Sequence, residues 1–393
     1  MNQANATQHR LITELQTRGL RLTHPEQRHV ARRGGAGPSD HQAVTIDGTT
    51  VMVPIFTESA WQSPFSVDSA GPGEQVISYA GDAGELIPLK NISFASTPRF
   101  YEGQTADGVP YSHIATLHSR DVLATTILQT CIRYESRKKA CKFCSIGQSL
   151  RAGRTIAQKT PEQLAEVAKA AVELDGISQM IMTTGTPATP DRGAKVLVES
   201  ARAIKAVVDI PIQGQCEPPA DPRWYQQMKD AGIDSLGMHL EVLGQQLREE
   251  ILPGKAEDTL EDYFQAFKQA VAVFGRGQVS TYILAGLGDS ADYILAVSQE
   301  LIEIGVYPFV VPFVPIRGTP LEDHPSPSAE FMEAILKPLG KRLYDAGMTA
   351  ETAKAGCGKC GACSTLSHYE KAAAHEPDNS AQTTEKMPTL AYG

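Results

Sequence analysis

From about residue 121 onward, short β-branched, apolar runs alternate with longer stretches whose apolar residues return every three or four positions. The runs predict strands at Ala124–Thr130, Ile177–Thr184, Ile210–Cys216, Ser235–Glu241, Val279–Gly286 and Val306–Val314. The stretches predict helices at Thr160–Leu174, Asp191–Ala206, Asp221–Ala231, Gly244–Ile251, Thr259–Phe274, Ser290–Ile304 and Ser328–Ala346. Helix starts are marked by side chains able to satisfy the free amides of a first turn. Thr160 stands as an N-cap with Pro161 first and Gln163 third, a capping box. Asp221 precedes Pro222 in the same cap-then-proline order. Six successive βα units imply an α/β fold with a parallel sheet and helices outside, a partial (βα)6 TIM-type barrel. The functional edge of such a barrel is the C-terminal rim of its strands.

The flanks divide the chain further. Residues 1–120 form a lead-in that is partly β: GPSDHQAVTIDGTTVMVPIF alternates apolar and polar positions around a DG turn. A helix around His9–Gly19 is placed to pack on the barrel or on a second subunit. The segment Thr105–His113 and the Leu117–His118 pair either cap the active site or pack as ordinary loop and edge strand. The barrel spans 121–346, a Cys-rich extension 347–372, and a polar, Pro-containing tail 373–393 that reads as disordered. No apolar stretch is long enough to span a bilayer, and the N-terminus lacks an apolar signal core, so a soluble cytoplasmic protein with no membrane partner is expected. A formal net charge of −9 and a pI near 5.6 argue against nucleic acid as partner. The local basic run Arg133, Arg137, Lys138, Lys139 is either a solvated loop or a contact for an anionic ligand.

Cysteine placement carries the chemistry. Of seven cysteines, six fall in two tight triplets, and in a reducing compartment that pattern favours metal ligation over disulfides. Cys131, Cys141 and Cys144 lie on CIRYESRKKACKFCSIG, directly after the first barrel strand. A cubane cluster has four irons, so three thiolates leave one Lewis-acidic iron open to a substrate or cofactor, whereas four make an electron carrier. Buried free thiols or a zinc site are the alternatives, although structural zinc wants a fourth protein ligand. Other unusual residues cluster at the same rim: Thr184, Gly185 and Thr186, then Cys216 and Glu217, then Glu241, then Gly286 to Asp289.

Cys216 is either a packed core thiol or a thiyl or thiolate participant in catalysis. Glu217 is a candidate proton acceptor or substrate-binding carboxylate. Neighbours on a strand face opposite ways, so the two are not expected to share the mouth. The second triplet, Cys357, Cys360 and Cys363 in GCGKCGACSTLSHYE, repeats at two-residue intervals like the start of a ferredoxin ligand run. An auxiliary iron–sulfur cluster is expected there, with zinc as the alternative. No fourth cysteine follows, so His368, a substrate or an exogenous ligand would complete it. Gly356, Gly358 and Gly361 let the backbone wrap tightly around such a group.

The cysteine triplet with Phe143 just before its last member, the TTGTP turn, LGMHLE followed by Arg248 and LPGK, and FVPIRGTPLE together resemble a radical SAM enzyme. The last segment is most similar to the biotin synthase and thiazole-synthase-like branch. The whole chain resembles the radical SAM protein encoded beside nitrilases in bacterial nitrile-utilisation clusters. One spacing differs, since nine residues separate Cys131 from Cys141 where the family motif has three. Loop closure costs rise slowly with length, so a longer excursion is tolerable.

The resemblance implies a [4Fe-4S] cluster whose open iron is chelated by S-adenosyl-L-methionine, and one-electron cleavage to a 5′-deoxyadenosyl radical that abstracts hydrogen from a small-molecule substrate. It implies a reducing electron donor of flavodoxin or ferredoxin type. Thr184, Gly185 and Thr186 would meet the methionine amino group through backbone carbonyls, Glu241 the ribose, Arg248 the carboxylate, and Phe143 with Gly286 to Asp289 the adenine. The substrate it points to is a nitrogen-containing or nitrile-related metabolite. Sulfur insertion from the auxiliary cluster, a two-cluster electron-transfer protein and a zinc-dependent barrel hydrolase remain as alternatives.

Overall fold

The computed structural model describes residues 3–23, 40–71, 74–80, 86–136 and 138–375, so Arg137 of the basic run and residues 376–393 of the polar tail lie outside the described residues. Six strands come first: β1 (Arg21–Leu22), β2 (His41–Ile46), β3 (Thr49–Pro54), β4 (Phe65–Gly71), β5 (Glu74–Ala80) and β6 (Leu86–Phe94). They form one sheet in the order β1-β4-β5-β6-β2-β3. The DG turn joins β2 to β3, with both Asp47 and Gly48 at positive φ, the geometry that a tight hairpin turn demands. The helix Gln3–Arg18 lays Ile12 and Leu15 against Val51, Val53, Val67 and Ile77 of this sheet. Alternation along β2 and β3 turns Ala43 and Met52 the other way, toward Ala362 of the Cys-rich extension.

The remaining strands are β7 (Thr116–His118), β8 (Val122–Thr126), β9 (Gln179–Thr183), β10 (Ile212–Gln215), β11 (Ser235–Gly237), β12 (Val279–Ala285) and β13 (Val306–Pro312). They follow one another in chain order across a second sheet, parallel from β8 to β13. Helices cross between successive strands, among them Pro161–Asp175, whose capping box on Thr160 and Gln163 is complete. This is the curled, partial α/β barrel that the six βα units imply. The sheet is seven-stranded because β7 adds antiparallel to β8, so it begins already at Thr116.

Three local departures have physical causes. β11 stops at Gly237, short of Glu241, because side chains interrupt the ladder: Thr281 Oγ1 accepts from the Leu240 amide and His239 Nδ1 from the Tyr282 amide, and Glu241, at φ +62, rejoins β12 through a single bridge to Ile283. The first predicted barrel strand ends at Thr126, since Ile127 and Gln129 turn their amides to Thr183 and Ala157. Asp221 is not the cap of its helix: Pro222 holds that place, and the Asp221 carboxylate instead accepts from the Arg223 amide at 2.9 Å and from its guanidinium.

The Cys-rich extension folds back into the barrel. Its last helix, Leu366–Ala373, packs on Ala329–Asp345 so closely that a Cβ on Gly340 would fall 2.6 Å from the Tyr369 Cβ. Glu370 accepts from the Tyr307 hydroxyl at 2.5 Å and the Ala350 amide at 2.8 Å, tying the extension to β13. No helix among the described residues is long and apolar enough to cross a membrane.

Candidate functional site

The excursion between Cys131 and Cys141 contains the helical turn Ile132–Glu135 and a second turn at 138–140, where Lys139 and Ala140 donate to the Ser136 carbonyl. These turns fold the long loop back on itself and bring its sulfurs close. Burial first, and then the neighbouring Cys131 and Glu241 charges, push the Cys144 thiol up to about 12. Cys141 is raised by burial, Glu241 and the other two thiols in the same way. Two thiols held protonated in this way beside a third are a poor free-thiolate site and a good cationic-cluster site, because iron compensates the thiolate charges. Among the described residues, no three His, Cys, Asp or Glu side chains converge on a point suited to one metal ion. Three thiols leave a structural zinc one ligand short, whereas a cubane takes one thiolate per iron, so the donor set fits a cluster better than zinc.

The TTGTP turn presses on the start of that loop. Gly185 donates to Leu128 at 2.9 Å, the Thr186 carbonyl accepts from the Ile132 amide at 2.9 Å, and a Cβ on Gly185 would sit 2.0 Å from the Thr130 oxygen. Thr186 also donates its hydroxyl to Glu217 at 2.8 Å. Glu217 is buried in a web of cations: Arg133 at 2.9 Å, Arg192 at 3.6 Å, and Lys255 in the same field. Burial alone would raise its pKa, but Lys255 and Arg133 outweigh burial and hold the carboxyl below the usual range. Arg192 continues the web to Asp258, and Lys139 bonds Glu257 at 2.5 Å. Thus Glu217 is an ionised partner of the cysteine loop, with its oxygens already engaged.

Glu241 faces the lumen beside the triplet and accepts from Lys255 Nζ at 2.5 Å. Burial works against the Lys255 charge, yet Glu241 more than restores it, so the ammonium is retained. His239, whose carbonyl also binds Lys255 at 2.9 Å, is pushed down to about 3 by burial and by that ammonium, and is neutral. Phe143 packs with Cys141 against Leu287 and Phe313 at the same opening.

Four expected site residues stand elsewhere. Arg248 is completely buried, and its guanidinium donates to the carbonyls of Leu240, Val242, Lys255 and Asp258 while lying over the Tyr263 ring. It holds the loop after β11 in shape and has no open face for a ligand carboxylate. Asp289 accepts from the Leu243 and Gly244 amides at 2.8 and 2.9 Å, fixing the entry to the helix Gln245–Ile251 rather than an adenine edge. Gly286, at φ +104, backs onto Pro327. Cys216 packs in the barrel core, and burial pushes its thiol up to about 12, so no thiolate forms there at neutral pH.

A cavity of about 300 Å³ runs through the barrel from Phe143 and Glu241 to Cys357 and Cys363. Ile181, Leu284, Val311 and Phe313 give it apolar walls, and Gln215, His239 and Tyr282 give it polar points. Two members of the second triplet, Cys357 and Cys363, therefore face the lumen, while Cys360 packs against Ala43, Met52 and Ala362. Gly356 donates to Gln179 at 2.8 Å, Cys357 to Gln213 at 3.2 Å, and Gln215 donates to the Cys357 sulfur at 3.2 Å. Tyr282 faces all three tail sulfurs and is raised by burial and by their charges. His368, the nearest histidine in sequence, is turned away and packs its ring on His9, 5.0 Å between centroids. His118 instead has Nε2 3.6 Å from the Cys363 sulfur. Sequence reasoning passed over Arg192 and Tyr282, which carry no motif; His239 and Lys255 stand inside LGMHLE and LPGK without a role of their own, and His118 and Arg133 were visible only as members of short segments.

Residues 138–301 match the model of the Radical SAM superfamily. The barrel is a radical SAM domain. Over 316 residues the chain is 25% identical to bacteriochlorophyllide c C-7(1)-hydroxylase of Chlorobaculum limnaeum, covering 76% of each. Among solved structures it is similar to methylornithine synthase (18% identity, TM-score 0.43, 56% of this chain and 61% of that one). A radical SAM methyltransferase from Sphaerobacter thermophilus is similar at 15% identity and TM-score 0.45, over 72% of this chain and 75% of that one. By the match over residues 138–301 the chain carries a radical SAM domain, and that family implies a [4Fe-4S] cluster, S-adenosylmethionine, a small-molecule substrate and an external reductant.

Proposed function

We propose that Cys131, Cys141 and Cys144 hold the radical-generating cluster and that the lumen holds a small substrate between this triplet and an auxiliary iron–sulfur cluster on Cys357, Cys360 and Cys363. When bound, the first cluster and S-adenosylmethionine supply a 5′-deoxyadenosyl radical able to abstract hydrogen. The chain's own residues bind, orient and shield. The compact Thr184–Thr186 turn offers carbonyls to the methionine amino group. The Lys255 ammonium takes the carboxylate-binding part that Arg248 does not have free, and Glu241 beside it accepts ribose hydroxyls. Phe143 lies against the adenine. The apolar walls exclude water from a reactive intermediate.

One observation carries this reading: a single cavity is lined at one end by Glu241 and by Phe143, the residue before Cys144, and at the other by Cys357 and Cys363. Its volume of about 300 Å³ lies at the low end for ligand pockets and suits a small metabolite. A nitrogen-containing or nitrile-related compound is the substrate class favoured by the resemblance to the nitrilase-linked, biotin synthase-like branch. The same shared lumen supports a second reading, sulfur insertion with the auxiliary cluster as donor, which loss of cluster sulfide during turnover would reveal.

The test is anaerobic: reconstitute the chain, count iron and sulfide, add dithionite and S-adenosylmethionine, and measure 5′-deoxyadenosine. Release should vanish in Cys144→Ala and survive in Cys360→Ala. A fully iron-loaded protein that makes none would overturn the assignment.

A further inference from the structure

The tail triplet lacks a fourth cysteine, and the seventh cysteine of the chain, Cys216, packs in the barrel core. Three histidines line the lumen: His41, His118 and His239. His239 uses Nδ1 to accept the Tyr282 amide at 3.2 Å. Of the three, His118 is the one with a ring nitrogen against a tail sulfur, 3.6 Å from Cys363. Its backbone explains the aim. His118 pairs with Val122 and Thr116 with Ala124, so His118 shares a strand face with Ala124, which lines the lumen. The side chain is buried, 5% exposed, at the mouth of the triplet.

We propose that His118 Nε2 is the fourth protein ligand of the auxiliary cluster, which is then a Cys3His site set in the barrel lumen. The inference rests on the reading that the tail triplet carries iron and sulfide. Neutral imidazole is a good iron ligand, and replacing one thiolate by it removes a negative charge and raises a cluster's reduction potential. The surrounding donors fit that role: Gln215 bonds the Cys357 sulfur at 3.2 Å, and Tyr282 hydrogen-bonds the Cys363 sulfur. His118 also touches a sulfur, but unlike an amide or phenol hydrogen its ring nitrogen carries a lone pair that binds iron when the imidazole is neutral. The antiparallel strand β7 thereby acquires a purpose, since it is the element that carries a ligand into the lumen from outside the βα repeat.

The experiment uses the full chain with Cys131, Cys141 and Cys144 all changed to Ser, so that only the tail site can load. After anaerobic reconstitution and reduction, about four irons per chain and a strongly coupled, directly bound nitrogen in pulsed EPR are expected. His118→Ala should lose that coupling and at least half of the iron. His118→Cys should regain the iron without the nitrogen signal, at a lower midpoint potential, which separates ligation from misfolding. A loaded cluster with no bound nitrogen, or an unchanged spectrum in His118→Ala, would overturn His118 as ligand while the auxiliary cluster stood, its fourth iron open to the lumen. Failure of the triple variant to hold iron, or its loading with zinc alone, would overturn the auxiliary cluster and the ligand with it.

Discussion

At the scale of single residues, charge at this rim is organised around Glu217. Arg133, two residues past Cys131, is buried with it, so the ion pair ties the cysteine loop to the end of β10. Removing one partner of a buried pair leaves the other desolvated and unmatched, and Glu217→Gln is expected to cost about 3 kcal/mol in denaturant unfolding. A loss below about 1 kcal/mol would mean that Glu257 and Asp258 satisfy Arg133 unaided. Lys159 gives a second test. Burial lowers its ammonium from 10.5 to about 7, and the amine rests on the Thr126 carbonyl and the Thr155 hydroxyl. With the folded value below the unfolded one, the unfolded chain binds more protons between these limits. Stability contributed by this group therefore rises as pH climbs from about 7 toward 10.5, with a slope of at most about 1.4 kcal/mol per pH unit. Unfolding curves of Lys159→Met across that range should be flatter than those of the native chain; parallel curves would show that another group sets the slope.

At the scale of elements, the tightest junction is where the TTGTP turn meets the chain leading into Cys131. No side chain fits at Gly185 without moving the Thr130 carbonyl, and Cys131 follows at once. Gly185→Ala should leave helix content intact by circular dichroism yet lower the iron bound by the first triplet several-fold. Undiminished iron would show that the loop adapts. This scale is also where the sequence speaks most clearly. Strands β8, β12 and β13 are dense in apolar and β-branched residues, and helices such as Pro161–Asp175 announce themselves by caps that the structure uses as written. β7 is three residues long, too short for any period to appear in TLH. Arg248 and Asp289 mislead for a different reason. A charged side chain at a rim looks the same in sequence whether it meets a ligand or backbone amides and carbonyls, and here loop shape claimed both. His368 and His118 show the limit on ligands: adjacency in sequence favoured the first, while strand pairing brought the second to the sulfur.

At the scale of the whole molecule, both ends of the described chain meet at one place. Met52 of the N-terminal sheet donates to the Ala362 carbonyl at 2.8 Å, Gln16 donates to the same oxygen at 3.0 Å, and Thr13 bonds Thr365 at 3.0 Å. The loop holding Cys357, Cys360 and Cys363 is thus clamped between that sheet and the barrel floor, with Gly356 too close to Gln213 for any side chain. The two triplets differ in how they can be reached: one lies on a rim loop, the other under a lid made by distant parts of the chain.

That clamp has a bearing on biogenesis. A ribosome releases the loop of Cys131, Cys141 and Cys144 long before it releases residues 357–363, and the N-terminal sheet waits meanwhile with Ala43 and Met52 uncovered. In the proposed two-cluster enzyme, iron and sulfide would reach the inner site most directly before the final helix docks, and in the folded chain only when that helix lets go, so reconstitution should fill the inner site more slowly than the rim site.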